Sequence, residues 1–384
     1  MKIAVVLGVT FGAALATKVT AVFLLPSFFL VFVFLGLRRG RGLRGFREII
    51  YCLVLILGVT LLTFVVLQPY ALIDFTRFKA DVLLQSQMSR DATVFPYTIQ
   101  YVGTRPYVYQ IKNLVLWGLG LPLGILGALG VLGLTIRAIR DAFTRHSPLA
   151  THHSLFLFFW IYFIVMGMSA VKFMRYLLPL YPIFALAAAS LILRVKSAET
   201  LRVFSAALRT ITIVVCTLWT FAFMQIYTQP HTRVVASEWI NQNIPAGSAL
   251  AIEHWDDALP LQGGENYQQI NFNLYDPDSA EKVDELLQKI TQADYIILSS
   301  NRLYDSIPKL PERYPVTIRY YELLFTEELG FEKIKEFTSY PAFFIPISDD
   351  FADESFTVYD HPKVMIFKKE KSFLERELQV LLSH

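Results

Sequence analysis

The chain has 384 residues, 54% of them hydrophobic, and a net charge of only +3. That small number hides a division: residues 1–227 carry 21 Lys and Arg against 6 Asp and Glu, whereas residues 228–384 carry 14 against 26. A basic apolar part followed by an acidic polar part excludes an ordinary single soluble domain. The scatter of the basic residues over short connectors excludes a nucleic-acid-binding face.

Taken in chain order, apolar runs fill 3–17, 19–37, 48–67, 111–136, 154–171, 176–193 and 204–226, which predicts about seven membrane helices. The opening MKIAVVLGVTFGAALATK has the Lys and small-residue end of a signal peptide. The apolar pattern resumes at Val19, however, so it reads as a short membrane helix, and the first two runs can form one helix interrupted at Thr17-Lys18. The two cysteines, Cys52 and Cys216, lie inside apolar runs without metal or redox spacing and read as small buried groups. If the spans alternate, the short basic loops 38–47, 137–146 and 194–202 share one side, which the positive-inside rule makes cytoplasmic. Thr17-Lys18, the loop 68–110, the KFMR turn at 172–175 and everything after Thr228 are then expected outside the cytoplasm. Lys172 and Arg175 are three residues apart, one turn if that stretch is helical.

The loop 68–110 is too polar to span and, at more than about 15 residues, too long for a plain connector. Tyr97, Tyr101, Tyr107 and Tyr109 form either an interfacial aromatic belt or, with Arg105, a lid contacting substrate. Asp74, Asp81 and Asp91 are carboxylates that are either simply solvated or available as a base. Gly118, Gly120, Gly124, Gly127 and Gly130 read as small residues for close helix approach rather than as a phosphate loop.

Beyond Thr228 the pattern is that of a two- or three-layer α/β domain, residues 228–384 following a membrane part, 1–227. RVVASEWINQNI predicts a helix ended by Pro245 and Gly247, and ALAIE (249–253) a buried strand. Asp278 as N-cap with Glu281 three residues on predicts a helix through Val283, Leu286, Leu287 and Ile290. DYIILSS (294–300) reads as a second buried strand, ELGFEKIKEF as a helix, and FTVYDHPKVMIFKK as a strand pair or a strand with a turn. Beyond Thr228 neither GxGxxG nor GxxxxGK[ST] occurs. Glu253, His254, Asp256 and Asp257 are either a polar loop or a site for a divalent cation, with no standard zinc spacing; no other cofactor is suggested.

FGAALATKVTAVFLLP and VKFMRYLLPLYPIFALAAAS resemble the bacterial relatives of protein O-mannosyltransferases and aminoarabinose transferases (the glycosyltransferase family 39-like group), polytopic membrane glycosyltransferases of the GT-C fold. EWINQNIPAGSALAIEHWDDALPL and ADYIILSSNRLYDSIPKLPERYP are similar to the C-terminal domain of one branch of that family. The resemblance covers nearly the whole chain. It implies a GT-C-like helical membrane protein with a C-terminal extracytoplasmic α/β domain, in a bacterial plasma membrane, serving the cell envelope. The implied partners are membrane lipid and a polyprenyl-phosphate sugar donor, whose sugar passes to an acceptor outside the cytoplasm. Lys172, Arg175 and Lys18 would then pair with the lipid phosphate, and Tyr176 and Tyr181 would donate to it or anchor the interface. The plainer reading of the cations is snorkelling to headgroups. In the family the catalytic carboxylate lies in the first external loop, after the first helix, and nothing here matches that segment. The expectation is therefore the C-terminal portion of such an enzyme: a truncated product, a misplaced start, or half of a split enzyme completed by a partner chain. No base is carried over; Asp74 and Asp91 are the external acids to test. The competing expectation is a non-catalytic accessory protein whose outer domain binds a glycan or a partner.

Overall fold

The computed structural model describes residues 1–29, 42–143, 152–193 and 202–383. The chain is mostly helical, with a small sheet near the C-terminus, and gathers into two compact units. The first comprises Met1–Arg90, Leu123–Ser169 and Arg175–Arg209; the second comprises Asp91–Pro122, Ala170–Met174 and Thr210–His384. Charge divides the sequence once, at residue 227, but in space the stretches 91–122 and 170–174 gather with the C-terminal fold.

Every predicted apolar run is helical over much of its described part. Among the described residues four helices are long and apolar enough to cross a membrane: Arg47–Leu67, Leu121–Arg140, Met174–Leu193 and one within Ala206–Asn243. Lys2–Thr17, Val19–Phe29 and Leu155–Met168 are apolar but shorter. Along Arg47–Leu67 the side chains of Val54, Leu61, Leu62 and Val66 are each about two-thirds exposed. A continuous apolar surface of this kind is stable against lipid and not against water, which marks the chain as a membrane protein. Of the basic loops used to orient the spans, residues 38–41, 144–146 and 194–201 lie outside the described residues.

Helix contacts in the first unit rest on glycine. Gly8 and Gly12, four apart in LGVTFG, bring Lys2–Thr17 so close to Gly42–Leu67 that a Cβ on Gly12 would lie 2.6 Å from the Thr60 carbonyl oxygen. Thr60 Oγ1 donates to the Gly8 carbonyl across the same contact, at 3.2 Å. This is small-xxx-small packing, in which close backbones replace the hydrophobic drive that lipid cannot supply. Gly127 and Gly130 do the same for Leu121–Phe143 against Tyr181–Leu193, meeting Phe184 and Ala187.

Two sequence expectations need correction. The run 111–136 is not one helix: Val108–Asn113 passes through a π-turn, Leu114–Gly118, to Gly120 at φ +76°, and a new helix starts at Leu121. At Gly120 the Trp219 ring occupies the place of a Cβ, 2.1 Å away, so only glycine fits. Residues 169–173 are not helical either, so Lys172 and Arg175 are not stacked one turn apart. The loop 68–110 is ordered throughout and includes a helix, Phe75–Arg90.

In the second unit β1 (Ala249–Glu253), β2 (Gln268–Phe272), β3 (Tyr295–Leu298), β4 (Phe331–Phe337) and β7 (Val364–Lys369) form one sheet in the order β2-β1-β3-β7-β4. β5 (Ala342–Phe343) and β6 (Ile345–Pro346) form a separate hairpin. The β2, β1 and β3 neighbours are parallel; β7 is antiparallel to both β3 and β4. Strand alternation feeds two cores. Ala249, Ala251, Ile296, Leu298, Met365 and Phe367 pack with helices Ala280–Gln292, Pro315–Phe325 and Glu375–Ser383 on one face. Leu250, Ile297, Val364 and Ile366 pack with Ala236, Ile240 and Ile244, at and just beyond helix Thr232–Asn243, on the other. The domain is therefore three-layered.

Here ELGFEKIKEF is corrected from helix to strand: it is β4, following Gly330 at φ +84°. The cap of Ala280–Gln292 is also corrected. Ser279, not Asp278, accepts from the Lys282 amide, while Asp278 accepts from the Val316 and Thr317 amides at the start of the next helix, Pro315–Phe325.

Candidate functional site

In the first unit, helix Lys2–Thr17 stops at Lys18, whose extended backbone (φ −154°, ψ 116°) opens a short 3-10 stretch, Val19–Leu24. Tyr162, on helix His152–Met168, packs edge-on against Phe23 with centroids 6.2 Å apart and donates to the Tyr176 carbonyl at 2.7 Å. That one tyrosine ties the break after Thr17 to the Met174–Leu180 turn, which contains Pro179. Lys18 Nζ consequently lies 4.9 Å from the centre of the Tyr176 ring, and the Arg175 charge acts directly on it. Lys18 and Arg175 are exposed, Tyr176 and Tyr181 half-buried. Among the described residues no carboxylate pairs with Lys18. The Arg175 charge disfavours the Lys18 ammonium, and an anion at Lys18 would offset that cost.

Lys172 belongs to the second unit, where it is buried and its ammonium donates to the Ala170 carbonyl at 2.9 Å. Asp74 is exposed and caps helix Phe75–Arg90 by accepting from the Arg77 amide at 3.1 Å. Asp91 closes a turn by accepting from the Thr93 amide at 2.8 Å; that bond holds its carboxyl below the usual range and makes it a weaker base. Asp81 and Arg105 are exposed.

The tyrosines of the 68–110 loop are drawn into the second unit. Tyr101 is buried, edge-on to Phe173 at 5.2 Å, and Tyr97 stacks on Phe95 at 5.5 Å. Tyr109 donates to Asp353 Oδ2 at 2.8 Å, edge-on to Tyr101. Burial pushes the Tyr101 and Tyr109 phenols up and raises the Asp353 carboxyl. Tyr107 is half-buried at φ 62°.

A buried ionic network at the carboxyl ends of β1 and β3 had no sequence signature beyond its acidic run. Arg233 Nη2 donates to Asp256 Oδ1 at 2.7 Å, its Nη1 pairs with Asp257 at 2.5 Å, and its Nε donates to the Ser299 carbonyl. Ser300 donates to the other Asp256 oxygen. Arg302 donates to Glu354 at 2.8 Å and to the Trp255 carbonyl, while Gln100 donates to Glu354 Oε2. Burial raises the Glu354 carboxyl against the pull of Arg302. Glu253 accepts from the Tyr321 hydroxyl. Asp256 and Asp257 are thus taken by Arg233 and Glu253 by Tyr321, so the run 253–257 does not converge on a cation. Among the described residues no group of three or more such ligands could hold one.

Beside this network lies a cleft of about 170 Å³, lined among others by Asn301, Asp305, Tyr340, Asp350, His361 and Lys363. Asp349 and His361 Nε2 pair at 2.6 Å, both buried, and Asp350 pairs with Lys363 at 2.6 Å. Its lining mixes charged, hydroxyl and aromatic side chains. Comparisons of the chain with protein families, with curated proteins and with solved structures find no match.

Proposed function

We propose that the chain acts in sugar transfer from a polyprenyl-phosphate donor, as its resemblance to GT-C transferases implies, with Lys18 and Arg175 holding the donor phosphate. The observation that carries the reading is the Lys18 ammonium over the Tyr176 ring at a helix break, within reach of the Arg175 charge and without a described carboxylate at Lys18. A membrane-borne phosphate is the anion that reaches such a place. In the reaction the acceptor hydroxyl oxygen bonds to the sugar C1 as the C1–O bond to phosphate breaks. Polyprenyl phosphate leaves with the electron pair and can take the hydroxyl proton itself, since its second ionisation lies near neutrality. Cations fixed in place stabilise the charge that grows on that leaving group.

The test is titration of a polyprenyl-phosphate hexose against the full chain in nanodiscs. Lys18→Ala and Arg175→Ala are each expected to weaken binding by about 10- to 100-fold, the value of one charge-assisted contact. The dephosphorylated polyprenol is expected to bind all three proteins alike. Equal affinity of wild type and both variants for the phosphate form would refute the phosphate role. The same reading puts the C-terminal unit in the cell envelope, outside the cytoplasm. A periplasm-dependent reporter fused after His384 is expected to be active, and activity only of a cytoplasm-dependent reporter would reverse the orientation.

A further inference from the structure

The hairpin β5–β6 in the second unit presents an apolar tip. Phe344, between the two strands, is 94% exposed, Ile345 is 73% exposed and nearby Phe351 is 83% exposed. Phe344 also has φ 64°, a conformation a bulky residue adopts only against strain. The tip is closed by Pro341 and Pro346, and the Ile347 amide donates to the Pro341 carbonyl at 2.7 Å. Such a tip is costly in water, and the same unit shows what surrounds it.

β5 packs against Gln225–Thr228, the 3-10 turn that directly follows helix Arg202–Met224. That helix carries the apolar part of a candidate membrane span, and Ile213 and Phe221 on it are 66% and 60% exposed. Its end is fixed to the domain by Phe223, whose ring lies 5.3 Å from Phe356 and 6.4 Å from His361. The hairpin therefore stands at the depth where the span leaves the bilayer. Aromatic and apolar side chains are stabilised at that level, with the ring in the acyl boundary and the backbone among headgroups. The neighbouring charge suits this: Asp350 is neutralised by Lys363 at 2.6 Å and so presents little repulsion to anionic headgroups.

We propose that the β5–β6 hairpin dips into the lipid interface beside the Arg202–Met224 helix and fixes the α/β domain against the membrane surface, with Phe343, Phe344 and Ile345 as its lipid contacts. This rests on the membrane reading of that helix and not on sugar transfer.

The test uses the full chain in nanodiscs, with Cys52 and Cys216 replaced by alanine and an environment-sensitive fluorophore on a single introduced cysteine. At Phe344→Cys the emission is expected to shift to the blue and to be quenched by lipids bearing a nitroxide near the headgroup. Ile213→Cys, on the span, should be quenched by nitroxides deep in the acyl chain. Asp284→Cys, on the exposed face of Ala280–Gln292, should be quenched only by aqueous iodide. With Ile213 quenched as expected, an aqueous spectrum at position 344 overturns the proposal. So does a blue-shifted spectrum that no lipid quencher reaches, because a protein partner would then cover the tip.

Discussion

Replacing Arg233 by alanine is expected to destabilise the second unit by about 3–5 kcal/mol, the usual cost of leaving one member of a buried ion pair alone. The side chains of Arg233 and Asp256 are only 6% and 2% exposed. Arg233 comes from helix Thr232–Asn243 and reaches the loops after β1 and β3, so its guanidinium joins three elements through Asp256, Asp257 and the Ser299 carbonyl. Alanine removes that joint and strands the Asp256 carboxylate, which among the described residues keeps only Ser300 and the Asp257 amide as donors. At roughly 2–4 °C per kcal/mol for a unit of this size, the melting temperature of the full chain in detergent should fall by about 10 °C. Adding Asp256→Asn should restore much of it, since the loss comes from a stranded charge. Arg233→Lys should fall between, because an ammonium keeps the charge without the planar fork that serves three acceptors. An unchanged melting temperature for Arg233→Ala would show that the network contributes specificity without stability.

What the sequence revealed of this fold follows the physical range of each signal. The apolar runs were legible because a span must be nearly uniform in character; the helices Lys2–Thr17, Tyr181–Leu193 and Arg202–Met224 sit where the runs predicted them. ALAIE and YIIL were legible as strands because both faces of a central strand are buried, and every residue in them is. β2 was not, since QQINF buries only Ile270 and Phe272 and so carries a weak pattern. β4 misled for a definite reason. Phe331, Ile334 and Phe337 are three apart, the spacing of a helix face, but a bulge between Lys333 and Lys335 shifts the strand phase and yields the same spacing in extended chain. Gly8 and Gly12 carry the same small-residue signal as the glycines after Trp117, at the spacing of a small-xxx-small pair.

The candidate site was legible in part for a similar reason. A cation interrupting apolar sequence stands out, so Lys18 and Arg175 could be singled out, and Tyr176 comes with them. Lys172 looked equivalent, but the non-helical backbone at 169–173 turns it to a carbonyl. No local pattern foretells that Tyr101 and Tyr109 meet Asp353, more than 200 residues away, because that contact is set by tertiary packing.

The stability of the chain is expected to fall as pH rises from about 4.5 to about 8, and Glu253→Gln is expected to remove the share of that fall due to Glu253, leaving the share due to the raised carboxyls of Glu354 and Asp353. Glu253 ends β1, is buried, and accepts from the Tyr321 hydroxyl, while its second carboxyl oxygen has no partner among the described residues. Burial pushes its carboxyl up to about 8, and the nearby Asp256 charge adds to the rise against the Tyr321 bond. In the unfolded chain the same group ionises near its ordinary 4.5. Between these values the folded state holds a proton that the unfolded state has lost, so stability declines with pH across that window and levels off above it. At about 1.4 kcal/mol per pKa unit the decline amounts to a few kcal/mol. An amide at position 253 is neutral throughout and can still accept from Tyr321. The variant should therefore match wild type at the acid end of the window and exceed it above about pH 8. Melting curves across the window decide the matter: parallel pH profiles for wild type and Glu253→Gln would mean that the carboxyl is ionised in the fold, and a partner for its charge would have to be sought around Tyr321.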